Sequence, residues 1–313
     1  MTGTTDTILV VRRVLLGIFF AVFFASIIIK GIPVDRIAVL LWMLAAFMVS
    51  SVGRSKNDIS LMVRDWLIIV LIYMAYDYSR GTADQWGIGV NYTLPRDLDR
   101  LLFFGNDPVL WMQKHFYIPN DVRWYDVGGA IIYMCHFVLP VVPLATLRVR
   151  NRLEWIRYVR RFATTLSIAV TTFIVFPAAP PWMVSEQGKM GVVHRITGRG
   201  WWELHLKTVS RTIDRGAAVL NSVAAMPSLH AGLALLAALW FARNAPRWVR
   251  FAALLYPLSM MATLVYFGEH FVSDCLMGFA ATSVAWVASV KWEKRKEALA
   301  PQTLNCITLR SPT

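Results

Sequence analysis

Eight apolar runs decide what this chain can become. They lie at about 14–31, 35–53, 61–79, 127–148, 163–183, 217–242, 248–268 and 270–291, each near the roughly 17–25 residues that a helix needs to cross the hydrocarbon of a bilayer. In lipid a backbone must satisfy its own polar groups, and single runs of this length do so only as helices. The expected fold class is all-α, a polytopic integral membrane helical bundle of about eight transmembrane helices. Charged residues are 16% of 313 positions, against about 25% in soluble domains. Cys135, Cys275 and Cys306 are too scattered for a disulfide framework or a zinc site. Without a phosphate-cradling glycine loop, a dinucleotide fingerprint or a cluster of metal-binding carboxylates, no cofactor and no metal are expected.

The basic residues set an orientation. With both termini cytoplasmic, well over half of the 32 lysines and arginines fall in inner loops, among them Arg12, Arg13, Arg54, the arginines from 148 to 161, Arg243 and Lys291 to Lys296. That bias is the one by which short cytoplasmic loops orient a membrane protein. A net charge of +13 concentrated there suits an anionic lipid surface. Because the charges flank spans and form no separate basic domain, nucleic acid is not an expected partner. In the first outer loop, Asp107 and Pro108 have the form of a helix N-cap and first helical position, opening a short interfacial helix through Trp111 and Phe116. The second outer loop, 184–216, carries Lys189, His194, Arg195 and Arg215. The expected organisation is an N-terminal part (1–125), a catalytic membrane domain (126–291) and a basic cytoplasmic tail (292–313).

Chemistry concentrates at the heads of two apolar runs. In VYFGEHFVSDCLMG, His270 and Asp274 stand four residues apart. On a helix this spacing shares one face, with about 5–6 Å between Cβ atoms, so the carboxylate can orient the imidazole. An oriented histidine is a nucleophile or a proton carrier. Forty residues earlier, MPSLHAG brings Ser228 and His230. In the expected topology both histidines face the extracytoplasmic side. Two such groups suit phosphoryl transfer, one attacking phosphorus while the other protonates the departing oxygen. Arg215 and the first amides after Pro227 are candidates for the oxyanion duty. His136, about ten residues inside the fourth run, reads first as a structural hydrogen-bonding residue. Glu269 reads as solvated rim with a possible supporting role, and Ser228 also fits a helix cap.

MPSLHAG followed by HFVSD resembles the type 2 phosphatidic acid phosphatase superfamily, and FPAAPPW (176–182) with YMCHFVLP (133–140) is similar to its branch of inositol phosphorylceramide and sphingomyelin synthases. The likeness runs from about 126 to 291. It implies a six-helix phosphatase-like core, with His270 forming a phosphohistidine, Asp274 orienting it, His230 acting as acid and then base, and Ser228 contacting a phosphate oxygen. The phosphatases carry a serine–arginine pair where this chain has Thr263 and Leu264, and their lysine/arginine–proline motif has only Lys189 and Arg195 as counterparts, at another spacing. Fewer cationic clamps suit a phosphodiester, which carries less charge than a monoester. The resemblance thus implies a metal-independent phosphotransferase of the plasma membrane that moves a headgroup, plausibly phosphoinositol from phosphatidylinositol, from a phospholipid donor to a hydroxyl acceptor. The alternatives are a lipid phosphate phosphatase using water, and a noncatalytic scaffold or lipid transporter.

Overall fold

Helices follow the apolar runs, but proline, glycine and capping side chains decide where they end. The computed structural model describes residues 2–30, 36–82, 87–203 and 223–308, and among these the regular structure is helical, with no strands. The chain is a multi-pass membrane protein: five helical stretches among the described residues, 7–30, 56–79, 124–148, 247–266 and 272–299, are long and apolar enough to cross a bilayer, and 40–51 and 229–242 are shorter apolar helices. Two compact units are formed, one from residues 1–82, 118–130 and 196–222, the other from 83–117, 131–195 and 223–313.

In the first unit, α1 (Thr2–Lys30), α2 (Arg36–Ser51) and α3 (Lys56–Gly81) pack in sequence order. Aromatic rings join them: Phe19 and Phe23 meet Trp42 edge-on at 5.7 and 4.9 Å, and Phe47 meets Trp66 at 6.4 Å. Ser55 caps α3 by accepting the Asp58 N–H. Elsewhere in this unit Asp126, fully buried in the first turn of α6 (Trp124–Val138), accepts the Arg123 N–H at 2.8 Å and pairs with Arg199 at 3.3 Å. Arg199 stands just ahead of α10 (Gly200–Glu203) and also donates to the Ile118 and Asp121 carbonyls.

The second unit contains α4 (Leu94–Leu102), α5 (Pro108–Phe116), α7 (Val141–Arg150), α8 (Arg152–Val175), α9 (Pro181–Glu186), α11 (Leu229–Ala242), α12 (Arg247–Ala253), α13 (Leu255–Tyr266) and α14 (Val272–Thr308). Its centre is the crossing of α11 with α14, where small residues let the backbones touch. A Cβ on Gly278 would lie 2.2 Å from the Ser228 carbonyl oxygen, one on Gly232 would lie 2.9 Å from that of Gly278, and Thr282 Oγ1 donates to the Gly232 carbonyl at 2.8 Å. Toward the other end of α14, Arg161 of α8 forms a two-point pair with Glu293 at 2.8 and 2.9 Å. Arg160 lies over Trp292 at 3.7 Å, and Arg243, after α11, reaches Glu154 at 3.0 Å. Several of the arginines assigned to the inner face therefore tie α8, α11 and α14 together.

The structure redraws several of the expected runs. The fifth, 163–183, is replaced by α8, which starts at Arg152 and stops at Val175. Beyond it Pro177, Pro180 and Pro181 cannot continue the helix, and 177–179 instead makes isolated parallel bridges: Asn91 donates to the Pro177 carbonyl, Ala179 to that of Asn91, and Ala178 to that of Val223. Of the sixth, 217–242, only 229–242 is helical among the described residues, because Pro227 and the cap at Ser228 set its start. The fourth is divided into α6 and α7 at Pro140, and the seventh into α12 and α13 at Leu254. The interfacial helix forms as expected, with Pro108 as its first residue, but the Asp107 carboxylate does not cap it. That carboxylate pairs with Arg96 at 2.8 Å, which holds the Arg96 guanidinium above its ordinary pKa.

Candidate active site

Two helix N-termini build the site. Ser228 caps α11, its Oγ accepting the Ala231 N–H at 3.4 Å, and its own N–H donates to the Asp274 carbonyl in the first turn of α14 at 2.9 Å. This bond and the glycine crossing lock the two heads together. Gly268, at φ +73, turns the chain out of α13, and a side chain there would meet Val193 and the His194 carbonyl within 3 Å. His270 follows two residues later. The consequence is a pair of imidazoles with ring centroids 5.6 Å apart, His270 buried and His230 half-buried.

His270 does not share a helical face with Asp274, as the spacing had predicted. Helix α14 begins at Val272, so His270 lies just outside it and Asp274 occupies the third helical position. From there the fully buried Asp274 reaches back to accept the Phe271 N–H at 2.9 Å, one half of a capping box. The same oxygen faces His270 Nδ1 at 3.4 Å, within ion-pair range but long for a hydrogen bond. Catalytic hydrogen bonds are often long before substrate binds. With Nδ1 turned to the carboxylate, Nε2 is the ring nitrogen that Asp274 does not face.

His136 lies closer to this pair than its sequence position suggested. Its ring centroid is 4.3 Å from that of His230, and Tyr133 stacks on the other imidazole at 5.0 Å. YMCHFVLP thus faces His230, with Phe137 edge-on at 6.3 Å. Glu269 is not solvated rim: its side chain is 11% exposed and binds Arg195 at 2.7 and 3.1 Å. Arg195, itself over the Trp182 ring at 5.0 Å, is so brought beside the residue preceding His270. Lys189 is placed against Tyr92, 4.3 Å from the ring centroid, while its carbonyl accepts from Arg96 at 2.6 Å. Arg215 lies outside the described residues. Among those described, no group of three or more His, Cys, Asp or Glu residues could hold a metal ion.

Two residues that sequence reasoning missed support the site. Gln113 of α5 donates to the His194 and Tyr266 carbonyls at 2.7 and 3.0 Å and accepts the His194 N–H at 2.9 Å, which fixes the loop ahead of Arg195 against the end of α13. Asp99 of α4, with no exposed surface, accepts the Val272 and Ser273 N–H groups at 2.9 and 2.7 Å. Their partners lie 81 to 174 residues away in sequence, so no local spacing could have revealed them. Under the site, Ala179 and Val184 of the FPAAPPW region pack with Val109, Val265, Phe271 and Val272.

The family profile of the PAP2 superfamily matches residues 97–288, a span that covers α4, the histidine pair and the crossing beneath it. The chain belongs to that superfamily. Among characterised proteins it is 24% identical over 278 residues to the phosphoinositol dihydroceramide synthase of Bacteroides thetaiotaomicron, covering 87% of this chain and 81% of that one. It is also 24% identical over 236 residues to the inositol phosphorylceramide synthase catalytic subunit aur1 of Schizosaccharomyces pombe, covering 72% of this chain and 53% of that one. No solved structure matches the chain.

Proposed function

We propose that this protein is a lipid phosphotransferase that moves a phosphate-linked headgroup, phosphoinositol from phosphatidylinositol, to a lipid hydroxyl. The observation that carries the reading is the 5.6 Å separation of the His230 and His270 rings, supported by two relatives named for phosphoinositol dihydroceramide and inositol phosphorylceramide synthesis. Reacting atoms sit about 3–3.5 Å apart in a near-attack geometry, so one phosphorus can be reached from both rings.

His270 Nε2 attacks phosphorus and the bond to the diacylglycerol oxygen breaks, that oxygen taking its proton from His230. The product of this half is diacylglycerol and a phosphohistidine. The acceptor hydroxyl then attacks phosphorus, giving its proton to His230 as the nitrogen–phosphorus bond breaks. Asp274 steadies the charge on His270 as it forms, and His136 shares the same task at His230. Arg195, paired with Glu269 beside His270, serves the phosphate oxygens, with Ser228, Lys189 and Arg215 as further phosphate contacts. No metal takes part. About eight helices span the plasma membrane, both termini are cytoplasmic, residues 126–291 form the catalytic domain, and the site opens to the extracytoplasmic leaflet.

The test is purified protein with phosphatidylinositol labelled in phosphorus, with and without a ceramide. Expected are a labelled phosphoinositol lipid that forms only with the acceptor, and an acid-labile, base-stable phosphoprotein. His270→Ala should lower the rate at least about 10⁴-fold and abolish the phosphoprotein, since removing a nucleophile leaves only binding and electrostatic assistance. Release of water-derived product without acceptor would replace this reading by the phosphatase. Full activity of His270→Ala would overturn both.

A further inference from the structure

The first turn of α14 carries Asp274 and follows His270 directly, so whatever fixes that turn fixes the reacting pair. It is clamped from outside by α4. Asp99 Oδ2 accepts the Val272 N–H at 2.9 Å, Oδ1 accepts the Ser273 N–H at 2.7 Å, and Ser273 Oγ donates to the Pro95 carbonyl at 2.9 Å. These are amides that a helix leaves unpaired at its start. In the usual arrangement a residue at the N-cap satisfies them, but here the N-cap is Phe271, which has no side-chain acceptor. Asp274 supplies the Phe271 amide and Asp99 the next two. Two carboxylates with no exposed surface thus share one helix head.

A purely structural cap need not be an acid: the uncharged acceptors Asn and Ser cap as well as Asp. A carboxylate with no exposed surface must be held by charge-sensitive bonds, because an unpaired buried charge is expensive. Its field acts on the neighbouring Asp274 at low local dielectric. We infer that Asp99 is a positioning residue of the catalytic centre, and that its charged carboxylate holds the head of α14, with Asp274 and His270, in register with His230. The inference rests on the phosphotransferase reading in that His270 must react as a neutral imidazole.

The electrostatics agree with this geometry. Burial, opposed by the backbone and side-chain hydrogen bonds of Ser273 and the amide of Val272 and reinforced by Asp274, pushes the Asp99 carboxyl up to about 6. The charged groups on its own helix are Arg96, Asp97 and Arg100, and Arg96 is already paired with Asp107. From α14 the titratable groups that bear on it are Asp274 and the buried Cys275 thiol. Asp99 is therefore ionised at neutral pH and loses its charge as the pH falls through about 6. Asparagine at this position mimics the protonated acid: one oxygen still accepts, while its NH₂ group confronts the second amide.

The experiment compares Asp99→Asn and Ser273→Ala with wild type in pH profiles of kcat and kcat/KM, normalised to folded protein. Asp99→Asn should lower kcat about tenfold or more, change KM less than about threefold, and make the acid limb shallower, because the deprotonation required at this carboxyl is gone. Ser273→Ala loses the bond to Pro95 and the hydroxyl that helps hold the Asp99 carboxylate ionised. It keeps the charged group and should leave kcat near wild type on the neutral plateau, with a limb as steep as wild type and displaced to higher pH. An unmoved limb with unchanged kcat in Asp99→Asn overturns the inference. So does the same loss in both variants with an unmoved limb, which is the mark of simple helix docking. Should Asp99→Asn not fold, wild type decides alone: an acid limb approaching a slope of two at its low-pH end supports the Asp99 deprotonation in addition to that of the nucleophile, and a slope of one overturns the inference. Inactive His270→Ala beside unaffected Asp99→Asn ends this inference while keeping the phosphotransferase. Active His270→Ala ends the phosphotransferase itself.

Discussion

Helix α1 is more apolar than α14, yet no residue of α1 from 7 to 30 is buried, whereas 44% of the most apolar stretch of α14 is. The first displays Ile18, Phe20, Val22 and Phe24 on its surface. The second carries Ser273, Asp274, Gly278 and Thr282 where it meets its neighbours. Lipid tails are as apolar as leucine, so hydrophobicity drives no association between helices once they are in the bilayer. Close approach needs side chains small enough to let backbones meet and polar groups that find partners there. Within a run long enough to span, the residues that lower its hydropathy are the ones that place it in the interior.

Substitutions that add bulk to the crossing should break this contrast most clearly. Gly278→Ala sets a methyl group against the Ser228 carbonyl oxygen, 2.2 Å from an ideal Cβ; that oxygen belongs to the backbone, so relief requires the two helix heads to part. Loss of about 1–3 kcal/mol or more is expected. Because the displaced residues carry both histidines, activity should fall at least about 100-fold in the transfer assay. Thr282→Val removes one interhelical hydrogen bond to the Gly232 carbonyl while keeping the shape, and should lower detergent-melt stability by about 0.6–1.7 kcal/mol with activity per folded molecule within about threefold of wild type. At the other extreme, Phe20→Leu on α1 should shift stability by no more than about 0.5 kcal/mol and leave the rate unchanged. Equal effects of Gly278→Ala and Phe20→Leu would remove the distinction between the two kinds of helix.

The sequence alone made much of this visible, and for identifiable reasons. Run length and charge placement give membrane helices, Pro108 marks the start of α5, and MPSLHAG with HFVSD marks the two heads that come together. The redrawn ends at 175 and 229 come from proline, which run counting smooths over because proline and its neighbours are not charged. The offset of His270 from α14 was illegible from the four-residue spacing, since a capping box and a helical face use nearly the same interval. Asp99 and Gln113 were invisible because each acts on amides and carbonyls that have no sequence signature. His136 was read as structural from its depth in the run. What depth along one helix does not report is the ring of a different helix beside it.

The contact of Gly278 with Ser228 also governs how a lipid reaches the histidines. Backbones that touch leave no gap for a hydrocarbon tail, so the cleft between α11 and α14 is sealed at the level of the reacting groups. On the proposed phosphotransferase reading, the donor's ester would then meet the histidines from the other flank, where Tyr133, His136 and Phe137 face His230.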